Sequence, residues 1–160
     1  QEVDGVPPNT QMNVEHTWPQ SQGASSGDPK SDLHHLFPTV SDVNSRRSDL
    51  PFGEVVRVDW SSDYPDDGGE SSLRGEDGGG QTVFEPRDGH KGDAARALLY
   101  MAMRYDLDLD FAYESLLRDW HEQDPPDPWE GERNRRIEEV QNDRNPFVDW
   151  PELLDRIDDL

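Results

Sequence analysis

The sequence predicts an α+β fold, with a small antiparallel sheet packed against several helices. Short β-branched and aromatic runs are confined to its first half, and apolar residues recur at spacings of three and four in its second. The breaker Asp124-Pro125-Pro126-Asp127-Pro128 punctuates the helical half, and no internal repeat is visible. At 160 residues the chain is long enough for one domain with a modest core, so a single domain over 1–160 is expected.

Residues 11–19 and 32–38 read as short strands joined by the polar stretch Gln20 to Gly27. Thr39, with Asp42 three residues on, is a capping-box-like start for a helix over 40–48. Glu54 to Trp60 and Gln81 to Phe84 have the character of a pair of strands. Between them, residues 61–80 are rich in Gly, Ser, Asp and Glu and read as one long acidic surface loop. From Asp93 to Tyr105, the positions Ala94, Ala97, Leu98, Met101 and Tyr105 mark a buried helix face. Asp110 to Glu122 gives another helix, with Phe111, Leu116, Leu117 and Trp120. A more polar helix follows from about Trp129 to Gln141, and Pro151 opens a short terminal one.

The formal charge of -21 and pI near 4.3 work against any partner held by bulk positive charge, because affinity for nucleic acid normally comes from Lys and Arg displacing counterions. Arg outnumbers Lys thirteen to two, and the acidic residues are spread along the chain rather than gathered in a tail. Such a surface suits high salt, where a Debye length of about 3 Å at molar ionic strength screens distant charge but leaves close contacts intact. A halophilic or salt-tolerant host is the expectation. The five Trp and five Phe and the amphipathic segments argue against a disordered acidic protein. Cysteine is absent, which rules out disulfides and thiolate metal sites. No apolar run approaches a membrane span, and the start Gln1-Glu2-Val3-Asp4 lacks the regions of a signal peptide, so a soluble chain, mature or excised, is expected.

The chemistry-bearing segment is Asn13-Val14-Glu15-His16, followed by Trp18-Pro19 and later by Asp32-Leu33-His34-His35-Leu36-Phe37-Pro38 and Asn44. Imidazole accepts a proton near neutral pH, so His16 is a candidate general base. Glu15 offers a carboxylate oxygen and Asn44 an amide oxygen, hard ligands that suit Mg²⁺ while leaving room for waters and a phosphate oxygen. One geometric difficulty stands. Neighbours on a regular strand face opposite sides, so Glu15 and His16 meet one phosphate only if the strand twists or ends there, which Pro19 favours.

These segments resemble the endonuclease I family of non-specific nucleases, built on a strand-strand-helix unit called a ββα-metal finger. Asn13 to Ser21 is similar to the family's catalytic strand, and Asp32 to Pro38 with Asn44, Arg47 and Ser48 to its second strand and metal-binding helix. Phe84-Glu85-Pro86 leading into Lys91-Gly92-Asp93-Ala94-Ala95-Arg96-Ala97 and Tyr100-Met101 resembles the buttressing helix. Glu132-Arg133-Asn134, Gln141 to Asp149 and Pro151-Glu152 resemble the C-terminal signature. The resemblance implies a metal-dependent hydrolase of DNA, and often RNA, that leaves 5′-phosphate ends. It makes Glu15 and Asn44 ligands of a single Mg²⁺, with Mn²⁺ or Ca²⁺ as alternatives, and His16 the general base. It further implies a monomer with a nucleic-acid partner and no membrane partner, secreted or periplasmic. Members usually carry helical sequence before the first motif, so an upstream part is expected to be missing. The acidic insert and acidic surface depart from the family pattern. Two rival readings are a catalytically silent acidic interaction module on the same fold and an RNA-preferring nuclease.

Other polar residues carry two readings each. Arg47, three residues after Asn44 on one helix face, either stabilises transition-state charge at the phosphate or pairs with a nearby acid. His34 and His35 are neighbours on an expected strand, so at most one faces the site; His34 is the better substrate-binding candidate by resemblance, with a structural hydrogen bond as the alternative. Arg133, Arg136 and Arg144 either line a nucleic-acid groove or make helix-surface ion pairs, and Arg144 within the Arg-Asn-Pro-Phe turn suits a structural role. Gly23-Ala24-Ser25-Ser26-Gly27 matches a nucleophile elbow in letters only, since no buried strand precedes it. Asp63, Asp66, Asp67 and Glu70 miss the spacing of an EF-hand loop and read as solvated acids.

Overall fold

The computed structural model describes residues 8–62, 70–109 and 111–158. Strand β1 (Met12–His16) pairs antiparallel with β2 (Leu36–Val40), placing Glu15 opposite Phe37 and His16 opposite Leu36. Between them lie a 3₁₀ turn (Gln20–Gln22) and one turn of helix, α1 (Gly27–Ser31). The hairpin runs directly into α2 (Ser41–Arg47), completing strand, strand, helix.

Two expectations need correction here. Residues 33–35 form a 3₁₀ turn, not a strand, because the Asp32 side chain accepts the His34 N–H and caps that turn; the strand therefore starts at Leu36. Thr39 lies inside β2, and the N-cap of α2 is Val40, which supplies no side-chain hydrogen bond. Backbone pairing across the hairpin thus overrides the local capping signal.

A second sheet has the order β3-β4-β5, from β3 (Arg57–Ser61), β4 (Leu73–Glu76) and β5 (Thr82–Glu85). The long loop expected over 61–80 is interrupted by β4, so the two sequence-visible strands do not pair with each other but with the strand between them. Only four residues make β4, and its Gly75 packs where a β-carbon would lie 2.1 Å from the Arg57 carbonyl oxygen. A glycine there looks like loop in sequence, yet it is what admits close strand approach. The candidate calcium residues Asp63, Asp66 and Asp67 lie outside the described residues.

Helix α3 (Lys91–Tyr105) is the centre of the core. Ala94, Ala97, Leu98 and Met101 are buried as the periodicity predicts, but so are Ala95, Leu99, Tyr100 and Ala102, so the helix is enclosed on most sides. Helix α4 (Phe111–Gln123) packs along it through Leu117 and Trp120, both fully buried. Gly92 permits this end of the packing: its N–H donates to the Asp124 carboxylate at 2.9 Å, and a β-carbon there would sit 1.8 Å from the Asp124 carbonyl oxygen. Asp127 caps α5 (Pro128–Gln141) by accepting the Glu130 N–H at 2.7 Å. The end of the chain folds as α6 (Pro146–Asp149) and a 3₁₀ segment (Pro151–Arg156), whose Phe147 and Leu154 complete the core. Among the described residues no helix is long and apolar enough to cross a membrane.

Candidate active site

The last residues of β1 and the first helix after β2 converge on one depression of about 400 Å³, lined by Glu15, His16, Asn44 and Arg47 together with Val14, Pro19 and Gln20. The geometric difficulty of two adjacent residues is thereby met: β1 ends at His16, the chain turns through buried Thr17, Trp18 and Pro19, and both side chains border the same hollow.

Arg47 is 3 % exposed and is the bracket that holds this turn. Its Nη2 donates to the Thr17 carbonyl at 2.7 Å, and its Nη1 to the carbonyls of Ser48 at 3.0 Å and His16 at 3.4 Å. The guanidinium also lies 4.7 Å from the centre of the Phe52 ring. Its Nη1 stands 3.2 Å from Glu15 Oε1, yet that oxygen is buried with no hydrogen bond. Burial dominates the Glu15 carboxyl and pushes its pKa up to about 7, against the lowering pull of Arg47.

Asn44 donates from Nδ2 to Asn13 Oδ1 at 2.8 Å and to the Val14 carbonyl at 3.2 Å. Those bonds fix the amide and leave its carbonyl oxygen as the end turned to other use. A desolvated carboxylate lacking a hydrogen-bond partner beside an oriented amide oxygen is a hard-oxygen pair that fits a small divalent cation with water completing its shell. Among the described residues no group of three or more His, Asp and Glu forms a fuller cage.

His16 faces the depression with Nε2 at 3.2 Å from the Lys30 carbonyl. The Gln20 amide nitrogen stands 3.5 Å from the same Nε2, so the ring has a partner in either tautomer: Nε2–H donates to the carbonyl, or bare Nε2 accepts from the amide. Burial is the largest influence on this imidazole and lowers its pKa, which keeps it neutral. The ring of His35 packs edge-on against it at 5.5 Å, itself held by a 2.7 Å bond from Nε2 to the Pro29 carbonyl. Burial takes the His35 pKa down to about 4. The carbonyls of α1 that orient both rings carry no side-chain signal, and sequence reasoning missed them.

The remaining candidates lie elsewhere. His34 is 2 % exposed and away from the depression, with Nε2 3.4 Å from both the carbonyl and carboxylate oxygens of Asp143 and its ring against Tyr100. Arg133 donates to the carbonyls of Leu33 and Leu36 and covers the Phe37 ring at 4.1 Å, bracing the hairpin from behind. Arg136 pairs with Glu132 at 2.7 Å on the outer face of α5. Arg144 pairs with Asp149 and Glu138.

Fold and candidate site together form a strand-strand-helix unit on an α+β scaffold, with Glu15, His16, Asn44 and Arg47 on one hollow. A model of the family described as Endonuclease I matches residues 3–152, and the chain belongs to that family. It is 38% identical over 167 residues to the extracellular ribonuclease of Bacillus subtilis (strain 168), covering 91% of this chain and 53% of the relative. It is 37% identical over 120 residues to a periplasmic deoxyribonuclease of Aeromonas hydrophila, covering 75% of this chain and 48% of that one. An extracellular deoxyribonuclease of the same organism is 36% identical over 120 residues, 75% of this chain and 49% of the relative. The chain thus spans about half the length of the curated relatives it matches.

Proposed function

We propose that the chain is a metal-dependent endonuclease that hydrolyses phosphodiester bonds of DNA, and also of RNA, with little sequence preference and 5′-phosphate products. The observation that carries this reading is the meeting of Glu15, His16 and Asn44 on one depression in a chain of this family. The His16 imidazole takes a proton from water as the water oxygen bonds to phosphorus, and the bond from phosphorus to the 3′ oxygen breaks, that oxygen leaving with the electron pair and taking a proton from solvent. Glu15 and Asn44 would hold a Mg²⁺ ion, which would supply polarisation of the phosphate and offset charge on the departing oxygen. Arg47 positions the end of β1 and contributes a fixed positive charge beside Glu15. His34 and Arg133 support the approach to the second strand, Arg144 ties the C-terminal turn, and Arg136, the most exposed of these, would meet a nucleic-acid strand only by giving up its pair with Glu132.

RNA stands among the substrates because a relative covering nine-tenths of the chain is named a ribonuclease. The names of the relatives further support secretion or a periplasmic location, and the acidic surface supports work in high salt as a monomer. A silent module would be free to lose any of Glu15, His16 and Asn44, and all three are present.

Plasmid DNA and RNA incubated with Mg²⁺, with and without chelator and across a salt series, test this. Cleavage is expected to need the metal and to fall about 10²- to 10⁴-fold in His16→Ala. No cleavage by the parent at any salt, or equal cleavage by the variant, overturns it.

A further inference from the structure

A second cavity of about 470 Å³ opens from the candidate active site and shares Glu15, Asn44 and Arg47 with it. It runs over Phe37 and Val43 to a far end formed by His90, Asp93, Asp127 and Trp129. We propose that this groove is a subsite for one unstacked nucleobase flanking the scissile phosphate, walled by His90 and Trp129, and that the chain therefore favours single-stranded over duplex nucleic acid. The inference rests on the nuclease reading and adds the strandedness of the substrate.

Three observations carry it. The first is charge. Glu15, Asp93 and Asp127 share the lining with Arg87 and with Arg47, whose donors are taken by backbone carbonyls, and the carboxylates accept hydrogen bonds from the amino groups of bases. The second is the aromatic surface. Trp129 is 57% exposed on the first turn of α5, where it borders both this groove and a second depression with Leu33 and Ile137, and an indole is the side chain on which a base stacks. The third is the fixed polar group. His90 Nδ1 lies 3.2 Å from Asp93 Oδ2 and the ring sits edge-on to Phe37 at 4.9 Å, so the imidazole is clamped in the groove wall. A volume of this size is that of a small-ligand site. In a duplex both faces of a base are already stacked, so only an unpaired nucleotide fills the groove without further cost.

The test uses a short single-stranded oligodeoxynucleotide of adenine and cytosine, whose bases carry amino groups, and a matched duplex. Chelator-treated protein is titrated with each while tryptophan fluorescence is followed, and Michaelis parameters are measured with Mg²⁺. Trp129→Ala is expected to weaken single-strand binding and raise its KM about 5- to 150-fold, the equivalent of one stacked base, with kcat and the duplex KM little changed. Trp129→Phe should restore most of the affinity, and His90→Ala should repeat the alanine pattern. Because Trp129 is exposed, unchanged melting of its variants checks the fold. Quenching that vanishes in Trp129→Ala without any cleavage by the parent leaves the subsite standing and defeats the nuclease reading. Normal cleavage with no effect of Trp129→Ala, or equal losses on single strand and duplex, overturns the subsite alone.

Discussion

At the scale of single residues, the candidate site is built from groups whose surroundings decide what they can do. Glu15 is a carboxylate with one buried oxygen lacking a hydrogen bond, and it gains most when a cation replaces the water that burial removed. Mg²⁺ at about a hundred times its Kd should therefore stabilise the parent by about 2.7 kcal/mol, measured as a rise in Tm, and Glu15→Gln should abolish most of that rise. Asp32 is the opposite case. It is 4 % exposed, and burial, the largest influence, raises its pKa, yet hydrogen bonds from Gln141, the His34 N–H, Tyr105 and Tyr100 outweigh burial and leave it lowered. A folded pKa below the unfolded one means that the unfolded chain binds more protons in acid, so this stabilisation is complete above about pH 4 and is lost as pH falls through the folded value. Asp32→Asn should cost on the order of 2–4 kcal/mol at neutral pH and flatten the acid limb of Tm against pH below about 4; a limb as steep as the parent's would remove Asp32 from that role.

At the scale of elements, the order strand, strand, helix places Glu15, His16 and Asn44 together, but the brackets behind it come from far along the chain. Arg133 of α5 ties down Leu33 and Leu36, and Tyr100 and Tyr105 of α3 hold Asp32, the cap of the 3₁₀ turn that leads into β2. The hinge of that arrangement is the close contact of α3 with the end of α4. Gly92→Ala should cost about 1–3 kcal/mol by urea denaturation, since the added carbon meets a backbone carbonyl that cannot move aside cheaply. Helix positions α3 to α5 were legible from periodicity to within two residues at each end. The short β4 was not, because four residues containing a packed glycine carry no periodicity to read. His34 and His35 show the same limit: alternation predicts one inward ring, whereas a 3₁₀ turn buries both.

At the scale of the whole molecule, charge is the dominant fact. The exposed arginines of α5 are engaged by their own helix, Arg135 with Glu132 and Glu139 and Arg136 with Glu132, so they offset little of the net charge. Self-repulsion at a charge of -21 should weaken the fold in dilute buffer, and shortening the Debye length from about 30 to about 3 Å with salt should relieve it. A gain of about 2 kcal/mol would raise Tm by about 4–8 °C between low and molar NaCl, readable by calorimetry; a flat or falling Tm would count against adaptation to salt.

The sequence by itself determined the fold class, the helices of the second half and the residue types of the site, because periodicity and side-chain chemistry are properties of neighbouring positions. Only the tertiary structure decided that Glu15 and His16 share one hollow, that Arg47 turns its donors on backbone carbonyls, and that His16 Nε2 stands within reach of the Lys30 carbonyl. Those outcomes depend on where the chain ends a strand and on which distant carbonyl stands within hydrogen-bonding reach, and neither is written in the order of the letters around them.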